Sequence, residues 1–485
     1  MPSAVCNILT AGLFIVFASL IFYRLDEVPI PYHADEAGAV YDGLCLAKYH
    51  CDRFGVRFPV YFMNFGTHGS SALYGYSAAL MFSLFGYSIT AARMPAVLLS
   101  LISALTMTLT VRRSKGSMAS VLTMLLFCLL PFSIMHSRWG LDAFLLFPMM
   151  IISCAVFYRA VISEKTGFYF VSGIVFGLTL YSYSVSYILV PAILGINFLL
   201  LIMIHKIKWK NLFAMGIPLF LMAVPLMMMM AVNNGLLPEI RTRFFSIPKL
   251  SSYGVSDLRR KNIIDNLSFG KYNIFYRIFA DDFLIYNAIP QFGTMYYVSI
   301  PFIIYGLILS VKKAYACISV RQFSFDFLMV SLCFSAFIIN LITENTNINR
   351  LCALYIPLIY FLVSALISIL QKNRIAALSA AGIYLVSFAL FVNFYFNDFE
   401  KKLDTSPLIG SITDLRDALL FAESVNRNEE TIYVLDPLQT YIYLLLIKNI
   451  DPFTFNEQKI LSYDDYVKVV GNYRFRLDAV MPECI

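Results

Sequence analysis

The stretch PYHADEAGAVYDG, residues 31–43, places two adjacent carboxylates, Asp35 and Glu36, shortly after an apolar run at residues 4–23. That run has about the 20 residues that an α-helix needs to cross the hydrocarbon core of a bilayer. Over the whole chain 59% of residues are hydrophobic and 14% are charged, whereas soluble proteins have about 45–50% and about 25%. The sequence therefore predicts a helical membrane protein with an acidic pair just beyond its first span.

Further apolar segments show how many times the chain crosses the membrane. Eleven are candidates for spans: residues 4–23, 89–111, 117–134, 141–162, 168–184, 187–204, 212–232, 298–310, 325–342, 351–370 and 375–396. One more run, residues 71–85, is shorter and is interrupted by Gly75 and Ser77. We expect it to be a surface or re-entrant helix.

The basic residues predict the orientation. Five clusters fall on one side of the membrane if residues 71–85 do not span: residues 112–115, 165, 206–210, 312–321 and 372–374. Because lysine and arginine accumulate in cytoplasmic loops, that side is expected to be the cytoplasm. The prediction is a multi-pass protein of the cell membrane with a cytoplasmic N-terminus. Loop 24–88, with the acidic pair, and tail 397–485 then lie on the extracellular or periplasmic side.

The chain divides by composition into two predicted domains, a transmembrane domain at residues 1–396 and a small external α/β domain at residues 397–485. The tail is mostly polar, with helix-like stretches at 414–425 and 438–448 and a strand-like stretch at 431–436. The nine cysteines show no metal-ligand spacing. Cys45 and Cys51 share one loop, and whether they form a disulfide is left open. The net charge of +7 is too small to indicate nucleic-acid binding.

The acidic pair is the first candidate for chemistry. Apolar residues at positions 37, 40, 44 and 47 predict a helix lying on the membrane surface, and Asp35 and Glu36 fall in its first turn, where the helix dipole favours carboxylates. Asp42 is seven residues further on and returns to nearly the same face. A fixed carboxylate there suits a general base or a metal ligand. The alternative is an N-capped surface helix with no chemistry.

Three arginines on the same predicted side, Arg93, Arg138 and Arg350, are candidates for binding an anion. An arginine near the end of a span either extends its charge to the interface or pairs with an anion, and its guanidinium matches phosphate bidentately. Four histidines, at positions 33, 50, 68 and 136, lie on that side too, but their spacing matches no known ligand set. Tyr183 and Tyr187 belong to an aromatic cluster that suits either a simple interfacial belt or sugar contacts.

In this order along the chain, these features resemble the GT-C membrane glycosyltransferases, in the branch of protein O-mannosyltransferases and lipid A aminoarabinose transferases. The resemblance covers residues 1–396. It is carried by Asp35-Glu36 after the first span, Tyr41-Asp42-Gly43, residues 54–59 (FGVRFP), Phe85-Gly86 with residues 92–95 (ARMP), residues 136–138 (HSR) with Leu141-Asp142, and Asn349-Arg350 with residues 355–357 (YIP).

The resemblance implies a polyprenyl-phosphate sugar donor and an acceptor that approaches from outside. Asp35 would be the base that deprotonates the acceptor, and Glu36 would support it or bind acceptor or metal, with Mg²⁺ or Mn²⁺ as an open option. Arg138 and Arg350 would hold the donor phosphate, with Arg93 as a structural or secondary contact. Sugar or acceptor contacts would come from Asp42, His68, Tyr74, Asp142, Tyr183 and Tyr187.

The predicted function is an inverting hexosyl- or pentosyltransferase acting on a protein, lipid or cell-envelope glycan. A transporter or lipid flippase of envelope precursors is the main alternative. Transporters place ionisable residues near the middle of spans, whereas here the acidic and basic candidates lie at span ends. An inactive GT-C relative acting in assembly is the other alternative, and the intact acidic pair argues against it.

Overall fold

The computed structural model describes residues 2–30, 32–64, 68–250, 260–268, 273–280, 286–343, 346–403, 412–426, 431–435, 440–461 and 467–476. The helices of these residues are α1 Ser3–Phe22, α2 Ala34–Tyr49, α3 Ala72–Phe85, α4 Ile89–Lys115, α5 Ser117–Leu129, α6 Pro131–Ser137, α7 Asp142–Ser163, α8 Thr166–Leu180, α9 Ser186–Met203, α10 Trp209–Asn233, α11 Arg260–Leu267, α12 Ile274–Phe279, α13 Ser299–Ser319, α14 Phe325–Ile342, α15 Ile348–Leu351, α16 Tyr355–Lys372, α17 Arg374–Asn397, α18 Phe399–Leu403, α19 Ile412–Val425, α20 Tyr441–Lys448 and α21 Pro452–Gln458. A short 3₁₀ turn, Cys352–Leu354, joins α15 to α16.

The strands are short. They are β1 Phe62–Asn64, β2 His68–Ser70, β3 Ile240–Arg241, β4 Ser246–Ile247, β5 Ile432–Leu435, β6 Lys459–Leu461, β7 Val467–Val470 and β8 Tyr473–Arg476. β1 pairs with β2 and β3 with β4, both antiparallel. The last four form a sheet in the order β5-β8-β7-β6, in which β5 runs parallel to β8 and the other pairs are antiparallel. The tail therefore contains the mixed α/β structure that the sequence predicted.

The predicted spans coincide with helices. Among the described residues, nine helices are long and apolar enough to cross a membrane, and a bent pair, α5 with α6, makes a tenth. The remaining predicted span, residues 168–184, corresponds to the shorter apolar helix α8. The 14-residue α3 covers the run at 71–85, and at 1.5 Å per residue it is about 21 Å long, too short for a hydrocarbon core of about 30 Å. The predicted polytopic helical class is confirmed.

The contacts divide the chain into two compact units. The first comprises Met1–Tyr23, Ala96–Val224 and Val255–Asn397. Within it α1 packs on α5, α7 on α8, and α13 on α16. The last pair approaches so closely at Gly306 that an added Cβ would lie 1.7 Å from the Phe361 carbonyl oxygen. Only glycine fits there, which is how small residues bring membrane helices together.

The second unit comprises Arg24–Pro95, Pro225–Gly254 and Asp398–Ile485. It contains the acidic stretch, the β3–β4 hairpin and most of the tail. The division into domains at residues 1–396 and 397–485 stays a prediction. The central helix of this second unit is α2, which packs against α3 and α20. Ten of its sixteen residues are buried, so its apolar stripe packs largely against other parts of the protein.

Candidate active site

Asp35 lies in the first turn of α2, immediately after a capping histidine. The His33 ring Nδ1 accepts a hydrogen bond from the Asp35 backbone N–H at 3.1 Å, which satisfies one of the free N–H groups of that turn. The Asp35 side chain is 49% exposed, and its Oδ2 lies 3.7 Å from the same Nδ1. Burial lowers the pKa of His33, and its Nδ1 already accepts a hydrogen bond. His33 is therefore a neutral cap, and the contact between its Nδ1 and Asp35 Oδ2 is not an ion pair.

Glu36, the adjacent carboxylate, is held very differently. Its two oxygens accept from Arg93 Nε at 2.8 Å and Arg93 Nη2 at 3.0 Å, and both side chains are fully buried. Arg93 Nη1 also donates to the carbonyl oxygens of Leu25, at 2.8 Å, and Pro29, at 3.0 Å. The pair therefore ties the start of α2 to α4 and to the chain before α2.

Asp42, in the middle of α2, forms a second buried acid–arginine pair. Arg53 donates to it through Nη2 at 2.6 Å, through Nε at 3.0 Å and through its backbone N–H at 2.9 Å. Both side chains are 1% exposed. The guanidinium crosses α2 at Gly38, where a Cβ would lie 2.7 Å from Arg53 Nη2. In this arrangement Asp42 fixes the loop after α2. The sequence analysis did not predict its partner, because Asp42 and Arg53 are eleven positions apart.

Asp52 is a buried carboxyl that the sequence analysis did not single out. Its Oδ1 accepts from the backbone N–H groups of Phe54 and Val56 at 2.9 and 2.8 Å, and its Oδ2 has no hydrogen-bond partner within the described part of the chain. Burial and the neighbouring Asp42 carboxylate raise the pKa of Asp52 to about 7. Asp52 thus belongs to the supporting structure at the end of α2.

Two more predicted contact residues belong to the second unit. Tyr74 is fully buried, and its hydroxyl donates to the Ala92 carbonyl oxygen at 2.7 Å, so it joins α3 to the start of α4. His68 lies in β2, but its side chain is outside the part of the chain that the structure describes. Their predicted roles in binding remain predictions.

Arg138 lies in the first unit, after α6, and is fully buried. Its guanidinium donates to the carbonyl oxygens of Leu20 and Ile21, each at 2.9 Å, and of Tyr23 at 2.7 Å. Leu20 and Ile21 lie in the last turn of α1 and Tyr23 directly follows it, so these carbonyls have no donor within the helix itself. Arg138 also lies 5.0 Å from the centre of the Phe396 ring. It therefore caps the C-terminal end of α1 in this structure.

Arg350 lies in α15 and is only half-buried. Its guanidinium and the Asp142 carboxylate both lie close enough to the Tyr183 hydroxyl to influence the pKa of that group. Burial raises the pKa of Tyr183, and Arg350 opposes that rise. Asp142 begins α7, where its Oδ1 accepts from the Ala143 N–H at 2.7 Å. The first unit thus brings three of the predicted residues together.

Two further residues of the first unit were expected on the outer side. Tyr187 lies in the first turn of α9 and is half-buried. His136 is buried in α6 with its ring between Phe132 and Phe144, at 3.9 and 4.0 Å between ring centres. Asn287, not predicted, donates to Asn349 beside Arg350 at 2.8 Å.

The acidic pair does not fit a divalent metal. Both oxygens of Glu36 are engaged by Arg93, which leaves Asp35 as the single accessible carboxylate of the pair, whereas Mg²⁺ and Mn²⁺ favour several oxygen ligands. Within the described residues, no three His, Cys, Asp or Glu side chains are grouped to hold a metal ion. Cys45 and Cys51 are both buried thiols that are not bridged.

One family model matches the chain. It is described as the dolichyl-phosphate-mannose-protein mannosyltransferase family, and it matches residues 70–231. This range holds Tyr74, Arg93, Arg138, Asp142, Tyr183 and Tyr187 of the predicted residues. No curated protein sequence matches the chain.

Solved structures resemble the chain over nearly its full length. ArnT from Cupriavidus metallidurans in the apo state is 13% identical with a TM-score of 0.56, and the match covers 93% of this chain and 87% of that chain. The same protein bound to undecaprenyl phosphate is 12% identical with a TM-score of 0.54, covering 93% and 86%. The Archaeoglobus fulgidus oligosaccharyltransferase in complex with zinc and sulfate is 12% identical with a TM-score of 0.53, covering 92% and 62%.

At these identities the solved structures establish the fold, and the family model adds a sequence match in the region after the acidic pair. Both agree with the resemblance carried by the sequence motifs. The chain therefore shares its fold with these membrane proteins, and its residues 70–231 match the dolichyl-phosphate-mannose-protein mannosyltransferase family model.

Proposed function

We propose that this protein is an inverting glycosyltransferase that moves a hexose or pentose from a polyprenyl-phosphate donor to an acceptor outside the cytoplasm. The fold and the family match support a lipid-phosphate-dependent glycosyltransferase. The five basic clusters on one side of the membrane support a cytoplasmic N-terminus and an external tail. A protein, a lipid or a cell-envelope glycan each offers the hydroxyl that such a reaction needs.

The observation that carries the proposal is the contrast within the acidic pair. Asp35 is 49% exposed in the first turn of α2, whereas Glu36 is fully buried against Arg93. A general base must come within hydrogen-bonding distance of the proton that it removes. The exposure of Asp35 allows such an approach, and the positive end of the helix dipole stabilises negative charge in this turn. Glu36 and Arg93 then act as positioning residues for it.

In the proposed reaction an Asp35 oxygen accepts the proton of the acceptor hydroxyl. The acceptor oxygen attacks the anomeric carbon of the sugar, and a new C–O bond forms as the bond from that carbon to the phosphate oxygen breaks. The electron pair leaves with the polyprenyl phosphate, and attack opposite the leaving group inverts the anomeric centre. The proton remains on Asp35 until solvent removes it.

Arg350 is the proposed partner of the leaving phosphate. Negative charge grows on that phosphate in the transition state, so a fixed cation lowers the barrier. Arg350 is half-buried beside Tyr183, and a guanidinium presents donors that match phosphate bidentately. Arg138 is a weaker candidate because it is fully buried, with its guanidinium on the carbonyl oxygens of Leu20, Ile21 and Tyr23.

The test is Asp35→Asn in purified protein, supplied with labelled polyprenyl-phosphate sugars and an acceptor extract. Asparagine keeps the size of the side chain and removes the base, so we expect transfer to fall by about 100-fold to 10,000-fold, the range for general-base catalysis. Thermal stability should stay at the wild-type level, because Asp35 is half exposed.

The matched control is Asp26→Asn, the same change at an exposed residue of the same loop, and it should leave transfer unchanged. Wild-type turnover in Asp35→Asn would remove Asp35 as the base. Transport of the intact labelled lipid without sugar transfer would instead favour a flippase.

A further inference from the structure

The part of the tail at residues 440–461 contains α20 and α21 and is hydrogen-bonded to α2 and its flanking loops. The four bonds are from the Tyr443 hydroxyl to the Tyr32 carbonyl oxygen at 2.9 Å, from the Tyr41 hydroxyl to the Ile450 carbonyl oxygen, from Arg53 Nη1 to the Tyr441 hydroxyl at 3.3 Å, and from Asn456 Nδ2 to the Arg53 carbonyl oxygen at 2.9 Å. We name this part of the tail, residues 440–461, the α2 brace.

Tyr443 acts at the start of α2. Its hydroxyl holds the carbonyl of Tyr32, the residue before His33, and His33 in turn accepts the N–H of Asp35. Tyr443 is 5% exposed and Tyr32 is fully buried. Because a buried carbonyl is costly to leave without a donor, this bond fixes where the chain enters the helix.

Tyr441 acts at the other end. It is fully buried and accepts from Arg53, which is bound to Asp42 on α2. Asn456 donates to the Arg53 backbone carbonyl, so both the side chain and the main chain of Arg53 meet the brace. The two ends of α2 are therefore each joined to the tail, across about 400 residues of sequence.

Apolar packing alone does not set the position of α2 against the brace. A cavity of about 280 Å³ lies there, lined on α2 by Tyr41, Cys45 and Lys48 and on the brace by Leu445 and Asn449. Aromatic contacts join the same segments beside the cavity, between Tyr49 and Phe453 and between Phe54 and Phe455, with ring centres 5.7 and 6.0 Å apart. The polar bonds at the two ends add contacts that depend on direction as well as distance.

We propose that the α2 brace positions the acidic helix for catalysis, with Tyr443 as its principal positioning residue. This rests on the proposed role of Asp35 as the base. Tyr443 does not touch the reacting atoms: it acts through Tyr32 and His33 on the first turn of α2. A small displacement of that turn changes the approach of Asp35 to the acceptor proton, and catalysis is sensitive to such displacements. The tail is thereby required for the chemical step.

The test is Tyr443→Phe, which removes one hydroxyl and keeps the ring. We expect kcat to fall about five- to tenfold, with the donor KM within twofold of wild type. Hydrogen exchange of peptides covering residues 32–41 should become faster, because the first turn of α2 loses its anchor. Tyr441→Phe should show a smaller change of the same kind. Tyr433→Phe, at a tyrosine of β5 that is 50% exposed, is the matched control and should match wild type in all three measurements.

Hydrogen exchange separates this inference from the proposed function, since it needs no activity. Faster exchange at 32–41 together with a lower kcat and an unchanged donor KM supports the brace. Unchanged exchange overturns it, whatever Asp35→Asn does. A donor KM that rises in parallel with the loss of kcat, or faster exchange with wild-type kcat, also overturns it, because the tyrosine would then serve binding or packing alone.

Discussion

Two regions of the acidic segment hold carboxylates in opposite ways. In the first turn of α2, Asp35 is 49% exposed beside the buried Glu36. In the middle of the helix and in the loop after it, Asp42 and Asp52 are no more than 1% exposed, and Arg53 is buried with them. A carboxylate that exchanges a proton with a substrate must be reachable, whereas one that fixes a loop need only be paired. Exposure thus separates the residue proposed for chemistry from those that hold the helix in place.

The buried pairs have an energetic consequence. Removing two charges from water is costly, and the attraction between them offsets that cost only when the geometry is good. The Glu36–Arg93 and Asp42–Arg53 pairs are both bidentate. Loss of one partner leaves a buried charge without compensation. Substitution of any of these four residues should therefore lower the free energy of unfolding.

The largest expected effect is that of Glu36→Gln on folding. The amide cannot balance the charge of Arg93, so we expect a loss of about 3–5 kcal/mol in the free energy of unfolding. The measurement is thermal unfolding in detergent. Glu27→Gln, at an exposed partner of Arg24, is the control and should change stability by less than about 1 kcal/mol. Wild-type stability with lost activity would instead assign Glu36 to the chemistry.

The arginines of the first unit also differ in exposure, since Arg350 is half-buried and Arg138 is fully buried. Arg350→Ala should raise the donor KM by about tenfold or more, since a charge-assisted hydrogen bond contributes about 1.5–3 kcal/mol, and should affect the acceptor KM less. Arg138→Ala should lower the melting temperature, because three carbonyl oxygens at the end of α1 lose their donor. Kinetics with labelled donor, together with thermal unfolding, distinguish the two. An unchanged donor KM in Arg350→Ala would exclude it from the phosphate site.

A pH dependence of stability is expected from Asp52. Its pKa is raised from 3.8 to about 7 by burial and by Asp42. Between about pH 4 and pH 7 the folded protein therefore holds a proton that the unfolded chain has released. The contribution of Asp52 to the free energy of unfolding falls as the pH rises through that window and is constant above it. Asp52→Asn should flatten the melting temperature across that range.

Asp26→Asn provides the comparison for the pH experiment, and it should keep the slope of wild type. An equal slope in Asp52→Asn and wild type would show that the Asp52 carboxyl does not titrate in this window. Asp52→Asn also tests the contrast between Asp35 and the buried carboxylates. If this variant lost transfer activity but kept wild-type stability, Asp52 would take part in the chemistry as well.

Much of the fold could be predicted because its signals are local. The eleven apolar segments all correspond to helices, since hydrophobic length can be read within one segment. The helix at α2, predicted for residues 34–48, is Ala34–Tyr49. In the tail, the predicted stretches correspond to α19, β5 and α20. The bend of 64° between α5 and α6, at Leu130 and Pro131, was not predicted.

The partners of the candidate residues could not be predicted. Glu36 meets Arg93 across 57 positions, Arg138 meets α1 across more than 110, and Tyr443 meets Tyr32 across 411. The periodicity of residues within one segment does not predict such contacts between distant residues. The sequence placed Glu36, Arg93 and Arg138 near span ends, and both chemical and structural roles were compatible with that placement.

The sequence by itself indicated that this chain crosses a membrane many times, that a helix with two carboxylates follows the first span, and that its motifs resemble those of GT-C glycosyltransferases. These are properties of length, composition and order, and each can be read from neighbouring residues. Only the tertiary structure decided which carboxylate is exposed, which arginines are engaged, and that the tail holds the acidic helix. Burial and charge pairing depend on contacts between segments far apart in the chain, and folding alone brings those together.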